Sequence, residues 1–167
     1  GCEAGTYATD KTGVYGVVTR ATNCSDCEAG FYQSAAKSVY CSPCDAGRAA
    51  SSDSAAVACT TCAAGTASST GAATCTACAT GYYQNTSNSA SCDKCTASTE
   101  FGVGFSSTEG SDTCDTCIVD YFRSGDLCVA CTAGSGMVCK GGKALPYPEP
   151  GFWVDMSSVD YLYQFQP

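Results

Sequence analysis

The 167-residue chain has no histidine, two methionines, one tryptophan, and only eight lysines and arginines against sixteen aspartates and glutamates. Without histidine it lacks the side chain that most often serves as a general base. A net charge of −8 leaves no basic surface for nucleic acid. No apolar run approaches the roughly 18 residues of a membrane span. We therefore predict no catalytic residues, no nucleic-acid partner and no membrane-spanning segment.

Large apolar residues are also scarce, since leucine, isoleucine, valine and phenylalanine together number 21. Burial stabilises by about 25 cal/mol per Å² of apolar surface, whereas ordering the chain costs about 1.5 kcal/mol per residue. No segment shows helical periodicity. A core this small cannot stabilise the fold without covalent or metal cross-links, and the sixteen cysteines are the candidates for them.

The motif C-x-x-C, here called a knuckle, is compatible with either zinc or disulfides. Zinc ribbons pair two knuckles about 15–20 residues apart, so the spacing alone does not decide. The absence of histidine, and the scarcity of lysine and arginine beside the cysteines, favours disulfides and hence an oxidising, extracellular compartment. We predict no metal and no other cofactor. The knuckles begin at Cys24, Cys41, Cys59, Cys75, Cys92, Cys114 and Cys128.

A repeated frame surrounds the knuckles. Residues 27–44 (CEAGFYQSAAKSVYCSPC) and 78–95 (CATGYYQNTSNSASCDKC) share their cysteines, a glycine and an aromatic pair. Each C-x-x-G predicts a tight turn in which glycine supplies a positive φ, followed by two short strands that return to the next cysteine. After Cys117 the position holds Asp120, which tolerates such a turn. The glycines are Gly30, Gly47, Gly65 and Gly81.

This frame resembles the cysteine-rich ephrin-receptor-like repeats, which are close in style to EGF-like modules. The ending, with Cys139-Lys140-Gly141-Gly142, three prolines and Gly151-Phe152-Trp153, resembles large surface proteins of protists and algae. The resemblance implies a small disulfide-rich fold: an elongated ladder of short hairpin-like steps with almost no helix. It predicts tandem repeats over residues 1–139 and a proline-rich, aromatic, extended tail over 140–167. It implies no single activity.

Two disulfide schemes remain open. One staggers the bonds between alternate knuckles, for example Cys24–Cys41 with Cys27–Cys44. The other joins the second cysteine of each knuckle to the first of the next, and it is favoured because it uses every cysteine. Its bonds are Cys2–Cys24, Cys27–Cys41, Cys44–Cys59, Cys62–Cys75, Cys78–Cys92, Cys95–Cys114, Cys117–Cys128 and Cys131–Cys139.

Two further kinds of site are predicted. Asn85 and Asn23 each begin an N-x-[ST] sequon, so covalent glycans are expected partners. The tail from 146 to 167 is rich in large apolar residues but has no cysteine to constrain it, so we expect it to dock on a neighbouring copy. The residues predicted to make this contact are Phe152, Trp153, Tyr161, Tyr163 and Phe165.

The sequence thus favours a structural extracellular protein: a glycosylated fibre, sheath or cell-surface appendage that assembles by self-association. The alternative is a ligand-binding or adhesion ectodomain of a receptor-like surface protein. A step whose loop carries a dense, unusual set of charged and aromatic residues would favour that alternative, and the insertion at residues 96–113 is the candidate for such a loop.

Overall fold

The computed structural model describes residues 1–9, 23–51, 55–97, 102–131, 136–154 and 165–166. Within these residues, short strands form nine antiparallel two-stranded pairs, and helix is confined to one 3-10 turn, η1 Cys95–Ala97. The prediction of a small disulfide-rich fold of short hairpins with almost no helix is confirmed.

Residue contacts divide the chain into two compact units. Unit 1 comprises Gly1–Cys78, Gln84–Cys92 and Gly110–Asp112, and unit 2 comprises Ala79–Tyr83, Asp93–Glu109 and Thr113–Pro167. The predicted domains, residues 1–139 and 140–167, stay a prediction.

Each strand pairs with the strand that follows it in the chain. The pairs of unit 1 are β1 Thr6–Ala8 with β2 Cys24–Asp26, β3 Phe31–Tyr32 with β4 Ser42–Pro43, β5 Arg48–Ala49 with β6 Thr60–Thr61, and β7 Thr66–Ala67 with β8 Thr76–Ala77. Those of unit 2 are β9 Tyr82–Tyr83 with β10 Asp93–Lys94, β11 Phe105–Ser106 with β12 Thr116–Cys117, β13 Tyr121–Ser124 with β14 Leu127–Ala130, β15 Met137–Val138 with β16 Tyr147–Pro148, and β17 Trp153–Val154 with β18 Phe165–Gln166.

The sequence predicts that the second strand of each step ends at the next cysteine. In the structure this strand lies inside the knuckle instead. β6 occupies the two positions between Cys59 and Cys62, and Thr60 pairs there with Ala49. Strands β4, β8 and β10 fill the same two positions of their own knuckles. The knuckle is therefore both the strand and its cross-link, which lets two-residue strands hold their register.

The disulfides follow the sequential scheme: the second cysteine of each knuckle bonds the first cysteine of the next. The Cα–Cα separations run from 5.5 Å to 6.3 Å, within the usual range for a disulfide. All sixteen cysteines are among the described residues, and none is free. We call each disulfide-closed segment a step and number the steps 1 to 8 along the chain.

Neighbouring steps of unit 1 are joined by a recurring set of three backbone hydrogen bonds. The turn glycine and the residue three positions later donate N–H groups to carbonyls of the following step, and a loop residue of that step donates back to the second cysteine. The donor–acceptor pairs joining steps 3 and 4 are Gly47–Ser68 (2.8 Å), Ala50–Ala72 (3.2 Å) and Gly71–Cys44 (2.8 Å). Steps 4 and 5 repeat the set with Gly65–Gln84 (2.8 Å), Ser68–Ser89 (3.2 Å) and Asn88–Cys62 (2.9 Å).

The turn glycines have a second function that the sequence did not indicate. Those of steps 1 to 4 approach backbone two steps further along: a Cβ built on Gly47 would overlap the Asn88 carbonyl, and one on Gly65 would overlap the Gly110 carbonyl. A Cβ on Gly81 would meet only the Ser106 side chain, at 3.7 Å. The φ values of Gly47 and Gly65, 84° and 81°, also lie in the left-handed region. Only glycine meets both requirements at these positions.

Unit 2 keeps the frame with substitutions. Asp120 occupies the turn position after Cys117 with a φ of 68°, as predicted, and its N–H donates to the Cys139 carbonyl. In step 6 the insertion carries Gly104 into the turn position, where its carbonyl accepts from Ile118 (2.8 Å). A small apolar core lies beside this turn. Its members are Tyr83, Cys95, Phe105 and Cys114, with Cys128 packed against them.

Candidate functional site

The two cysteines of a step generally differ in exposure. In step 8, Cys139 is buried and Cys131 is half-buried. In steps 1 to 7 the cysteine that opens the step is buried, as in Cys44 and Cys95, which are both 0% exposed. Its partner at the other end of the step is generally more accessible; Cys41 and Cys59 are half-buried and Cys24 is exposed. Since a disulfide replaces the apolar core that the composition cannot provide, the buried sulfur atoms are the centre of each step.

In steps 2 and 5 a buried glutamine follows the aromatic pair and holds the loop of the step, a role that the sequence analysis did not predict. Gln84 is 6% exposed; its Nε2 donates to the Ser91 carbonyl (2.9 Å), and its Oε1 accepts from the Thr86 N–H (3.1 Å). Gln33 makes the equivalent bonds, from Nε2 to the Tyr40 carbonyl (2.8 Å) and from the Ala35 N–H to Oε1 (2.9 Å). The signal was present, because glutamine follows the aromatic pair in both repeated stretches.

Arg123 takes the corresponding position in step 7 and ties it to step 6. Its Nη1 donates to the Asp115 carbonyl (2.9 Å), its Nε donates to the Gly125 carbonyl (3.0 Å), and its guanidinium lies 5.7 Å from the centre of the Phe105 ring. Tyr121 packs directly over Gly104. Side chains therefore connect these two steps, whereas steps 3 to 5 are connected mainly through backbone.

The two predicted glycosylation sites have different surroundings. Asn85 is exposed, in the loop that follows β9, and lies in no strand. Asn23 is also exposed, but its carbonyl accepts from the Thr9 N–H (3.2 Å), and the next residue, Cys24, is bonded to Cys2. Ser25, which completes the second sequon, pairs with Tyr7 in β1–β2.

The predicted assembly residues fall into three groups. Phe152 is half-buried and packs against Gly136. The backbones of Trp153 and Phe165 belong to the paired strands β17 and β18. Tyr161 and Tyr163 lie outside the described residues. Within the predicted extended tail, Tyr147–Pro148 pairs with Met137–Val138. Pro148 can lie in this two-stranded pair because an edge strand does not need a hydrogen bond donated from every residue.

Exposed large apolar residues are concentrated in unit 2. Within the described residues, those at least 60% exposed there are Val103 (75%), Val119 (66%), Leu127 (65%) and Leu145 (65%). Apolar residues exposed to this degree are candidates for contact with another molecule when they cluster. Leu127 and Val129 occupy alternate positions of β14 and so project from the same face of the strand.

Among the described residues, a pocket of about 380 Å³ lies in step 3, and small or apolar residues line most of it, among them Ala50, Val57 and Ala58. Pockets that bind specific ligands usually add convergent polar or aromatic groups, and the described part of this lining has no charged or aromatic side chain. Among the described residues no group of three or more cysteines, aspartates or glutamates could hold a metal ion. Asp115 forms an exposed ion pair with Lys143 (2.5 Å). Asp53, Glu100 and part of the 96–113 insertion lie outside the described residues.

The comparison with protein families agrees with this geometry. Residues 65–101 match the family model described as tyrosine-protein kinase ephrin type A/B receptor-like. This segment and the ladder of disulfides fit an ephrin-receptor-like cysteine-rich repeat. The matched residues run from the turn glycine of step 4 through step 5 and into step 6. The match therefore spans one complete step, and the other steps repeat its disulfide pattern. No curated protein matches the chain.

The ephrin-receptor-like repeat is a non-catalytic type of ectodomain module. The repeat and the eight disulfides are consistent with an extracellular location. No helix formed by the described residues is long and apolar enough to cross a membrane.

Proposed function

We propose that this chain is a structural, non-enzymatic segment of an extracellular repeat protein, a fibre, sheath or surface appendage, and that copies of it associate with one another. One observation carries the structural part of the proposal. Steps 3 to 5 are joined by repeated backbone hydrogen bonds and closed by disulfides, so their outward side chains are not needed for the fold. Such an arrangement suits a protein that spans distance or bears load rather than one that shapes a catalytic pocket.

Self-association is supported by the apolar residues that unit 2 exposes. Leu127 and Val129 share one face of β14, and both are exposed (65% and 40%). The sequence places further large apolar residues downstream, including Trp153 and Phe165. A second copy that covers these side chains would remove apolar surface from water, which stabilises the contact by about 25 cal/mol per Å².

The test compares the size of the purified, oxidised chain with that of two variants by light scattering and electron microscopy. We expect oligomers or filaments from the parent chain, and smaller species from Leu127→Ser/Val129→Ser or from Phe152→Ala/Trp153→Ala. Val39→Ser is the matched control, because Val39 is similarly exposed (47%) but belongs to unit 1. A parent chain that stays monomeric at high concentration contradicts self-association.

The second candidate is a ligand-binding or adhesion ectodomain, which the ephrin-receptor-like match at residues 65–101 favours. Light scattering together with a cell-binding assay separates the two candidates. A monomeric chain that binds the surface of intact cells saturably, and loses that binding when residues 98–101 of the insertion are replaced by glycine and serine, supports the ectodomain over the structural segment.

A further inference from the structure

Hydrogen bonds hold the loop of residues 85–89 at both ends, while two of its side chains stay exposed. At its start, the buried Gln84 side chain accepts from both the N–H and the hydroxyl of Thr86 (3.1 Å and 2.9 Å). At its end, Asn88 N–H donates to the Cys62 carbonyl (2.9 Å), and the Arg48 Nε donates to the Asn88 side chain (3.2 Å). These contacts fix the loop on the neighbouring steps and leave Asn85 and Ser87 exposed to solvent.

Asn85 and Ser87 are the first and third residues of a sequon, N-T-S. A glycan on Asn85 would extend into solvent, because none of the hydrogen bonds that fix the loop to its neighbours uses the Asn85 side chain. The three residues also lie outside every strand, so a transferase can bind them by opening only the local hydrogen bonds of Thr86 to Gln84 and Ser89, without breaking a hairpin.

The other sequon lacks this access. Cys24 is bonded to Cys2, and Ser25 pairs with Tyr7 in β1–β2. Once the Cys2–Cys24 bond closes, a transferase could engage Asn23 and Ser25 only by pulling β2 away from β1. The two asparagines are both exposed, so the difference between them is the state of the backbone and not the exposure of the side chain.

We propose that Asn85 carries an N-linked glycan and that the Cys2–Cys24 disulfide protects Asn23 from the same modification. The proposal rests on the proposed extracellular location, since the reaction takes place on chains that enter the secretory route. In that reaction the Asn85 Nδ2 attacks the anomeric carbon of a polyprenyl-pyrophosphate-linked oligosaccharide. The new C–N bond forms as the bond between that carbon and the phosphate oxygen breaks; polyprenyl pyrophosphate leaves, and a base of the transferase takes the amide proton.

The test uses the full chain directed into the secretory route of a eukaryotic cell behind a cleavable leader. The chain is isolated both from the medium and from inside the cell, and treated with peptide N-glycosidase in ¹⁸O-water. Peptide mass spectrometry then reads each released asparagine as a labelled aspartate. We expect the label at Asn85 and not at Asn23, and we expect Asn85→Gln and Ser87→Ala each to lose the mass of one glycan. Asn23→Gln should leave the mass unchanged.

A second variant tests the protection. Cys2→Ala/Cys24→Ala keeps the sequon at Asn23 as N-A-S and removes the cross-link, so Asn23 should gain label while Asn85 keeps it as an internal reference. An unlabelled Asn85 in imported chains overturns the glycan site, and full labelling of Asn23 in the parent chain overturns the protection. Failure of the chain to reach the medium counts against the extracellular function alone, because the glycan is also assayed on the imported chain inside the cell.

Discussion

Gly47 faces the backbone carbonyl of Asn88 so closely that no side chain fits between them, although the two residues belong to steps 3 and 5. Step 4 is attached to both by hydrogen bonds through Ser68. Gly47 therefore sets the distance between alternate steps as well as its own turn.

Replacing Gly47 by alanine should destabilise the chain more than replacing Gly71. Both have positive φ, 84° and 73°, so each alanine costs about 1–2 kcal/mol of backbone strain. At Gly71 the nearest atom to a new Cβ is the Pro43 Cβ at 4.0 Å, so strain is the whole cost. At Gly47 the Asn88 carbonyl must also move. Guanidinium unfolding of the oxidised variants measures the difference; equal midpoints would contradict the close approach.

Removing a correctly matched pair of cysteines should leave no thiol. Cys44→Ser/Cys59→Ser deletes one disulfide, so thiol titration of the denatured, unreduced variant should give about zero and stability should fall by about 2–5 kcal/mol. The control, Cys41→Ser/Cys44→Ser, breaks two bonds and should expose Cys27 and Cys59 as two thiols. The staggered scheme predicts two thiols from the first variant and is tested directly by the same titration.

Gln84→Ala should loosen the loop of step 5. The change leaves the Ser91 carbonyl and the Thr86 N–H without their partner, and the loss is expected to be about 1–3 kcal/mol. Hydrogen exchange at the Thr86 amide should speed up, while that at Asn88, whose N–H bonds to Cys62, should change less. Ser91→Ala, an exposed side-chain change beside the same loop that keeps the Ser91 carbonyl, is the control and should leave both rates as they were.

Arg123→Met should destabilise unit 2 while retaining the apolar stem of the side chain. It removes the bonds to the Asp115 and Gly125 carbonyls and the contact with the Phe105 ring, for an expected loss of about 1–2 kcal/mol. Lys94→Met, at an exposed position of β10, should cost little. Thermal melting followed by near-ultraviolet circular dichroism of the tyrosine and phenylalanine bands measures the stability of the core around Phe105. An unchanged melting temperature of Arg123→Met would contradict the prediction and show that the packing of Tyr121 over Gly104 is enough to join steps 6 and 7.

The sequence predicted the parts of the fold that depend on local spacing. The turn glycines, Asp120 at a positive φ and the hairpin within each step all follow from residues a few positions apart. The two-residue strands inside the knuckles could not be placed, because Thr60–Thr61 is too short to show a period. The overlap of Gly47 with Asn88 could not be predicted either, because that pair meets only through the stacking of steps.

The site predictions divide in the same way. Asn85 stays a predicted glycosylation site, and the sequence could suggest it because a sequon is a local pattern. The structural difference from Asn23 depends on β2 and its disulfide, which only the folded chain shows. The role of Gln84 could not be predicted from its place after Tyr82 and Tyr83. Its side chain satisfies backbone groups of Ser91 and Thr86, and these contacts form only when the loop folds.

The donor and acceptor pattern between steps has a direction, and this matters while the chain is being made. A step offers the N–H groups of its glycine and of a later residue only to the step that follows it, and its glycine meets backbone from the step after that. During synthesis, the turn of a step therefore lacks its supporting contacts until the next two steps have been made. We expect folding of unit 1 to trail chain synthesis by two steps, which limits at any moment how much unpaired backbone is open to aggregation.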